Sequence, residues 1–429
     1  MSLASSWKHC ASLFKIRNSS WCNWTSCLLL LTLAGACSSG PGPGEPQGQT
    51  HVYDGEQGLV LALAVLGKND DGSPLPLPAQ MGILTPDGDQ WDYRVIDDPE
   101  SNAFHKVMAY HPAGGRGGLL SFGGTAAVVK LWAPDSSPKK LWQEDFGGKF
   151  SRMRDAEIGD IYGDGSAAIA IATHDQGVVA VLRPDGSGAF SVERLDEQPD
   201  TVVHEIEIGD MDGDGIPEIY ATPSAPNKLD GTPQHGLVVR YIPGLSRGRE
   251  EIIDLGDRHA KEILTADLNK DGRDELYVSV EAVSGGQVEI QRFQLNDGQL
   301  TADVVATLRD KLCRFLTVGD VDGDGEMEMV AATNRSGLWL LRPTEGSDTW
   351  ELESIDSNSS GFEHASILLD LDRDGKAELY VASDRQSEIR RYRLAENGWK
   401  RDVILKHTDG LSRFTWNLMP APIALLPTQ

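Results

Sequence analysis

The sequence predicts an all-β protein: a seven-bladed β-propeller with about four antiparallel strands per blade. Three observations point there. A short acidic phrase recurs from Asp160, Asp210, Asp267, Asp320 and Asp370, at spacings of 50, 57, 53 and 50 residues. A self-similar period of that length marks propellers and solenoids. Each copy is also flanked by short apolar or alternating runs separated by Gly, Asp, Asn and Pro, which read as strands and turns. No stretch sustains the 3.6-residue period of an amphipathic helix.

The chain has 429 residues and a formal net charge of −26, from 65 acidic and 39 basic residues. A duplex or single strand of nucleic acid requires a basic footprint, so nucleic acid is excluded as a partner. Attraction to an anionic membrane surface is excluded on the same ground. The acids either solvate the surface or gather to hold cations, and their positions decide which.

Residues 1–36 read as a signal peptide. Lys8, Lys15 and Arg17 precede an apolar run at 27–36 without an acidic residue between them. About ten apolar residues suit a signal h-region and fall short of the roughly 20 needed to span a bilayer. Ala34-Gly35-Ala36 suits cleavage. The stretch LAGAC ending at Cys37 resembles a bacterial lipoprotein box, which implies a lipidated Cys37. Ordinary cleavage after Ala36 is the alternative. Residues 37–54 form a Gly/Pro-rich tether that cannot bury a core, and 55–429 form the propeller. Four of five cysteines fall at or before Cys37, leaving Cys313 alone in the body. No internal disulfide can staple it, and a buried, inert thiol is expected there.

Within the body, each phrase follows an alternating run such as HEIEIG (204–209) and precedes a β-rich run such as ELYVAS (378–383). Two further strands complete each period. Alignment without the phrase extends the repeat back to units starting near 111 and 67. At the far end, GLSRFTWNLM (410–419) aligns with GFEHASILLD (361–370) as an inner strand. It is expected to close the ring by joining the strands of 67–96. A partial eighth blade, or closure by the strand at 59–66, is the alternative. Trp91, Trp142, Trp350 and Trp399 recur near the fourth strand, which suits blade packing.

The phrase reads Asp-x-Asp/Asn-x-Asp-Gly-x-x-Glu. Hard cations take six to eight oxygen ligands, and alternate side chains of a tight loop converge on one point. The four full sets are Asp210, Asp212, Asp214 and Glu218; Asp267, Asn269, Asp271 and Glu275; Asp320, Asp322, Asp324 and Glu328; and Asp370, Asp372, Asp374 and Glu378. An EF-hand requires Glu at place twelve, where this chain has Ala221, Val278, Ala331 and Val381. The copy at Asp160 has Tyr162 and Ala168 in ligand places.

This phrase and period resemble the FG-GAP and VCBS repeat families, as in the seven-bladed propeller of integrin alpha chains. The resemblance covers roughly 55–429. It implies about four structural calcium ions on one face and ligand binding at the loops of the other.

A second register lies six residues before each phrase: His105, Arg154, His204, Lys261, Arg314, His364 and, in the closing strand, Arg413. A ring of these at the channel mouth, away from the acidic loops, would form a ligand rim for an acidic sugar, carboxylate or phosphate. It would tighten below about pH 6.5 as its histidines charge. The plainer reading pairs them with Asp155, Glu157, Glu205, Glu207 or Glu262 between blades.

Together these features describe an exported, lipid-anchored binding or adhesion module at the outer membrane or cell surface. A secreted or periplasmic location is the alternative. Its partner would be an extracellular glycan or protein, with membrane contact through the lipid only. A polysaccharide lyase using the basic ring, or a scaffold subunit of an envelope complex, are the rivals. No nucleophile elbow, zinc motif or phosphate loop is present.

Overall fold

The computed structural model describes residues 55–112, 115–147, 151–187, 189–226, 232–282, 285–296, 298–344 and 349–428. The expected signal peptide, Cys37 and the whole tether lie outside them. The described residues form seven antiparallel sheets. Blades one to six span 104–144, 153–196, 202–254, 260–308, 313–356 and 366–406, each with four strands in sequential order. Each inner strand packs against the next and the last returns to the first, so the ring closes.

Burial follows from the layering. The second strands are covered on both faces by neighbouring blades, so Ala168–Thr173 (AIAIAT) and Glu378–Ser383 (ELYVAS) are buried throughout. The fourth strands lie at the rim and are mostly exposed, as in Glu351–Asp356. Seven apolar clusters hold the ring, one at each blade interface. Burying these faces against one another is what stabilises sheets stacked in this way. Trp350 is buried in one cluster, and Trp91, Trp142 and Trp399 pack against others. Cys313 is fully buried, and burial pushes its thiol far above the usual range.

The seventh blade closes the ring with both ends of the described chain. Ser412–Pro422 joins as its inner strand, as the alignment expects. The strand Gln57–Lys68 also takes part and lies second, between Ser412–Pro422 and Ala79–Asp87. Gln57 pairs with Pro422 and Leu66 with Ser412, so this second strand runs toward the basic end of the ring. The turn at 67–72 therefore stands at the end opposite the acidic loops. It is a hairpin turn between Lys68 and Pro74, not the degenerate acidic loop that the repeat alignment assigns there. Lys130 of blade one reaches across this closure to Asp98 at 2.8 Å and Glu100 at 2.7 Å.

Candidate functional site

The acidic phrases link first and second strands at one end of the ring. The backbone explains their glycines. Gly165, Gly215, Gly272, Gly325 and Gly375, all at the sixth place, have φ between 79° and 89°, a left-handed region that disfavours a Cβ. The first Asp of each loop turns its carboxylate onto the loop's own N–H groups. Asp370 accepts from Asp374 N and Gly375 N, both at 3.0 Å. Asp210 accepts from Gly213 N and Gly215 N, both at 2.8 Å.

Three loops gather three carboxylates within 4.8 Å: Asp210, Asp212 and Asp214; Asp320, Asp322 and Glu328; and Asp370, Asp372 and Asp374. The Asp267 loop, with Asn269 in one place, gathers no such trio among the described residues. There Arg273 pairs with Asp271 at 2.8 Å. In the weaker copy Arg183 pairs with Asp164 and lies 4.4 Å from the Tyr162 ring centre. In these two loops a guanidinium supplies positive charge beside the carboxylates.

The ninth-place glutamates have a role that spacing did not reveal. Each sends one oxygen back to the N–H of the loop's second residue: Glu218 to Met211 (3.0 Å), Glu275 to Leu268 (2.9 Å), Glu328 to Val321 and Glu378 to Leu371 (both 3.1 Å). Tyr220, Tyr277 and Tyr380 donate to the same oxygen in their blades. The second oxygen is taken by Arg240, Gln294 and Arg342 in blades three to five. In blade six, Glu378 Oε1 is buried without a hydrogen-bond partner among the described residues. Burial and then Asp372 push the Glu378 carboxyl up to about 7. Hard oxygen donors, one of them orphaned, fit a calcium ion. Asp370, Asp372, Asp374 and Glu378 would hold it, and its charge would relieve their repulsion.

The basic residues lie at the other end of the inner strands, and the sheet register explains how they get there. In blade one Phe104 pairs with Gly123 and Lys106 with Phe122, leaving His105 as the extra residue of a bulge. Arg154 and Arg314 are extra in the same way in blades two and five. The register also breaks across His204–Glu205 and across Lys261–Glu262. Bulges re-aim side chains. In the closing strand the extra residue is Trp416, between the pairs of Asn417 and Thr415. Arg413 lies apart and pairs with Asp409 at 2.8 Å.

These bulged residues meet. His105 Nδ1 lies 3.0 Å from Arg154 Nη1, and its ring lies 4.3 Å from that of Trp416. Arg154 lies 5.1 Å from the Trp416 ring centre and Arg314 lies 4.3 Å from that of Phe362. Phe414 completes an aromatic trio with Phe362 and Trp416, at 6.2–6.4 Å between ring centres. All three rings are partly exposed. Arg314 is held by Glu281 and Glu363, both at 2.9 Å. Burial works against Glu281, yet Arg314, His259 and Lys261 hold its carboxyl down at about 2.

The ring is a buried cluster, not a solvent rim. His105, His204, Lys261, Arg314 and His364 are 0–4% exposed. His364 is spent on structure, with Ser359 Oγ at 2.8 Å and Thr333 O at 2.7 Å. Four donor groups remain: His105 Nε2, Arg154 Nε, Lys261 Nζ and Arg314 Nη2 have no hydrogen-bond partner among the described residues. Burial, then Arg314, brings the Lys261 amine down to about 7. Burial also holds the His105 and His204 imidazoles well below their usual range and His364 at about 4. The expected tightening below about pH 6.5 is therefore corrected: these rings stay neutral there because burial penalises their charge.

The plainer pairing is also redirected. Asp155 and Glu157 pair with Lys106, at 3.0 Å for Asp155, instead of with the basic register. Glu205, Glu207 and Glu262 crowd the same group, and burial followed by neighbouring carboxylates raises all three well above the usual range. Sequence reasoning missed Phe362, Phe414 and Trp416. The only trace was the aromatic spacing in RFTW (413–416), in a strand without the acidic phrase that anchors the alignment.

With this geometry in view, residues 320–381 match the FG-GAP-like repeat family. The match runs from the acidic loop of blade five into the second strand of blade six. The class is thus a seven-bladed propeller carrying an FG-GAP-like repeat. Comparison with curated protein sequences yields no match. Among solved structures, the chain is similar to a protein from Lactobacillus plantarum, with TM-score 0.53, 10% identity and coverage of 85% of this chain and 99% of that one. It is similar to a hypothetical selenium-binding protein from Sulfolobus tokodaii, with TM-score 0.52, 11% identity and coverage of 88% and 93%. An Agrocybe aegerita lectin that recognises non-reducing terminal N-acetylglucosamine has TM-score 0.50, 15% identity and coverage of 86% and 95%. At these identities the likeness is one of fold.

Proposed function

We propose that this chain is an exported, lipid-anchored, calcium-stabilised propeller that binds an extracellular or surface ligand through an anionic group. Lipid on Cys37 would supply its only membrane contact, at the outer membrane or cell surface. The observation that supports the reading is the bulged cluster. Four buried donor groups lack partners, and three of them, on His105, Arg154 and Arg314, lie against the partly exposed rings of Trp416 and Phe362. Unsatisfied buried donors cost free energy, and a carboxylate, sulfate or phosphate group supplies what they lack. Aromatic faces suit the apolar face of a sugar or a peptide side chain. The donors are too covered to receive a chain laid across them, so an end group entering past Trp416 is the fitting ligand. An anionic glycan or an acidic protein segment meets that description.

A lyase-like reading is favoured by one feature: Lys261, with its amine near 7, sits close to Arg314 and Arg154. Arginines could neutralise a uronate carboxylate while Lys261 removes the adjacent proton. One experiment addresses both readings. Purified protein in millimolar calcium is incubated with neutral and acidic oligosaccharides, and retention is read together with release of unsaturated ends. Retention of acidic chains alone, lost at least tenfold in Trp416→Ala, is the expected result. Equal retention of neutral chains, or none of either kind, overturns it. Unsaturated ends that vanish in Lys261→Met would make the protein an enzyme.

A further inference from the structure

The four full acidic loops differ in what holds the outer oxygen of the ninth-place glutamate. Arg240 donates to Glu218 Oε1 at 2.9 Å, and Gln294 to Glu275 Oε1 at 3.1 Å. Arg342 donates to Glu328 at 2.6 Å and to Asp322 at 2.9 Å. In these blades the protein itself satisfies the carboxylate. In two of them a guanidinium stands where it repels a divalent cation. Glu378 is different. It is 3% exposed, and its Oε1 has no partner among the described residues.

The surroundings differ as well. A cavity of about 230 Å³ opens between blades five and six, lined by Asp374 and Glu378 together with Lys376, Arg393 and Lys400. The space beside the Asp267 loop is about 10 Å³. Arg393 is engaged by Asp402 at 2.8 Å. Lys376 and Lys400 are exposed and form no ion pair among the described residues. Two carboxylates and two unpaired ammonium groups thus line one small chamber.

We propose that the Asp370 loop is the tightest cation site of this chain, and that its cation faces the cavity and takes a small carboxylate-bearing co-ligand there, such as an acidic sugar. The inference rests on the calcium reading of the loops. Four side chains supply fewer oxygens than the six to eight that calcium takes, which leaves coordination for a ligand oxygen. The ligand's carboxylate bridges the ion and the two lysines, and each lysine adds a charge-assisted contact. In blades three and five a cation must first displace or tolerate Arg240 or Arg342, so binding there is weaker.

Calorimetric titration of the full chain with calcium tests the ranking. Asp370→Asn should abolish the tightest event, and Asp210→Asn should leave it. Arg342→Met should strengthen a weaker event by about tenfold, as expected from removing one like charge near the ion. Thermal melts in calcium confirm that each variant is folded. A tight event that survives Asp370→Asn, or four equal events, overturns the ranking and leaves the calcium reading standing. Absence of any calcium binding overturns both. D-galacturonate is then titrated into Trp416→Ala, so that the cluster at the other end is disabled, with and without calcium. Binding that needs calcium and falls at least tenfold when Lys376→Ala/Lys400→Ala is added supports the co-ligand site. No binding, or binding indifferent to calcium and to the two lysines, overturns it.

Discussion

At one end of the inner strands, aspartates of the acidic loops turn toward backbone N–H groups and stay near solvent, each full loop over one buried glutamate. At the other, basic side chains are thrown inward by bulges and buried among aromatic rings and glutamates. The loop end is built from a repeated local phrase, and its blade-to-blade variation lies in which arginine or glutamine leans over it. The bulged end is built from register, one extra residue per strand, and its chemistry is not repeated: His105, Arg154, Arg314 and Trp416 occupy equivalent bulges. A repeat can therefore conserve its scaffold at one end while diversifying at the other. The charge of the exposed aspartates at the loop end is screened and cheap to alter. Charge at the bulged end is desolvated, so removing a partner there leaves an uncompensated ion.

The sharpest way to break this contrast is Arg314→Ala. It leaves Glu281 and Glu363 buried without their shared guanidinium, and stability should fall by about 3–5 kcal/mol. Urea denaturation measures it. A loss like that of a surface pair, under about 1 kcal/mol, would mean that the bulged cluster is solvated and that the two ends do not differ.

A medium effect concerns the carboxylates around Lys106. Glu205, Glu207 and Glu262 have folded-state pKa values raised by burial and then by neighbouring carboxylates, Asp155 among them in each case. A group so raised contributes stability that is present below its unfolded value and lost as pH rises through its folded value. Glu207→Gln removes that loss. The variant should melt several degrees above wild type at pH 8, and the two should converge toward pH 5. Melting curves across this range check it, and parallel curves would place Glu207 in contact with solvent.

The smallest effect sharpens the loop side. Arg373 and Lys270 hold φ of 61° and 60° at the fourth loop place, where Gly163, Gly213 and Gly323 stand elsewhere. Arg373→Gly should relieve left-handed strain by about 0.5–1 kcal/mol after the added chain entropy of glycine. A measured loss in guanidinium unfolding would show that Arg373 serves mainly through its hydrogen bond to Gly55 O.

Blade number, strand order and the acidic loops were legible because they are local: a phrase at a fixed period, a turn glycine, an alternating run. The basic register was legible as a pattern, but its burial was not. Whether a strand carries an extra residue depends on which residues its partner strand places opposite. Arg413 shows the limit. Alignment puts it in line with His364, but the closing strand has its extra residue at Trp416, which reaches the cluster in its place. The arginines over Glu218 and Glu328 escaped for a similar reason, since Arg240 and Arg342 arrive from a third strand, 22 and 14 residues away. The turn at 67–72 was misplaced because it resembles the acidic phrase in composition but follows a second strand instead of an inner one.

The closing blade has a mechanical consequence. The chain enters the ring through Gln57–Lys68, a strand hydrogen-bonded on both sides, to Ser412–Pro422 and to Ala79–Asp87. Its first residues sit at the acidic end, where Ile423 N donates to Glu56 O at 2.9 Å. A pull on the segment before residue 55 is therefore borne by two ladders at once, and no lone edge strand can be peeled away. Such a pull is applied at the acidic end, opposite the aromatic and basic end of the inner strands.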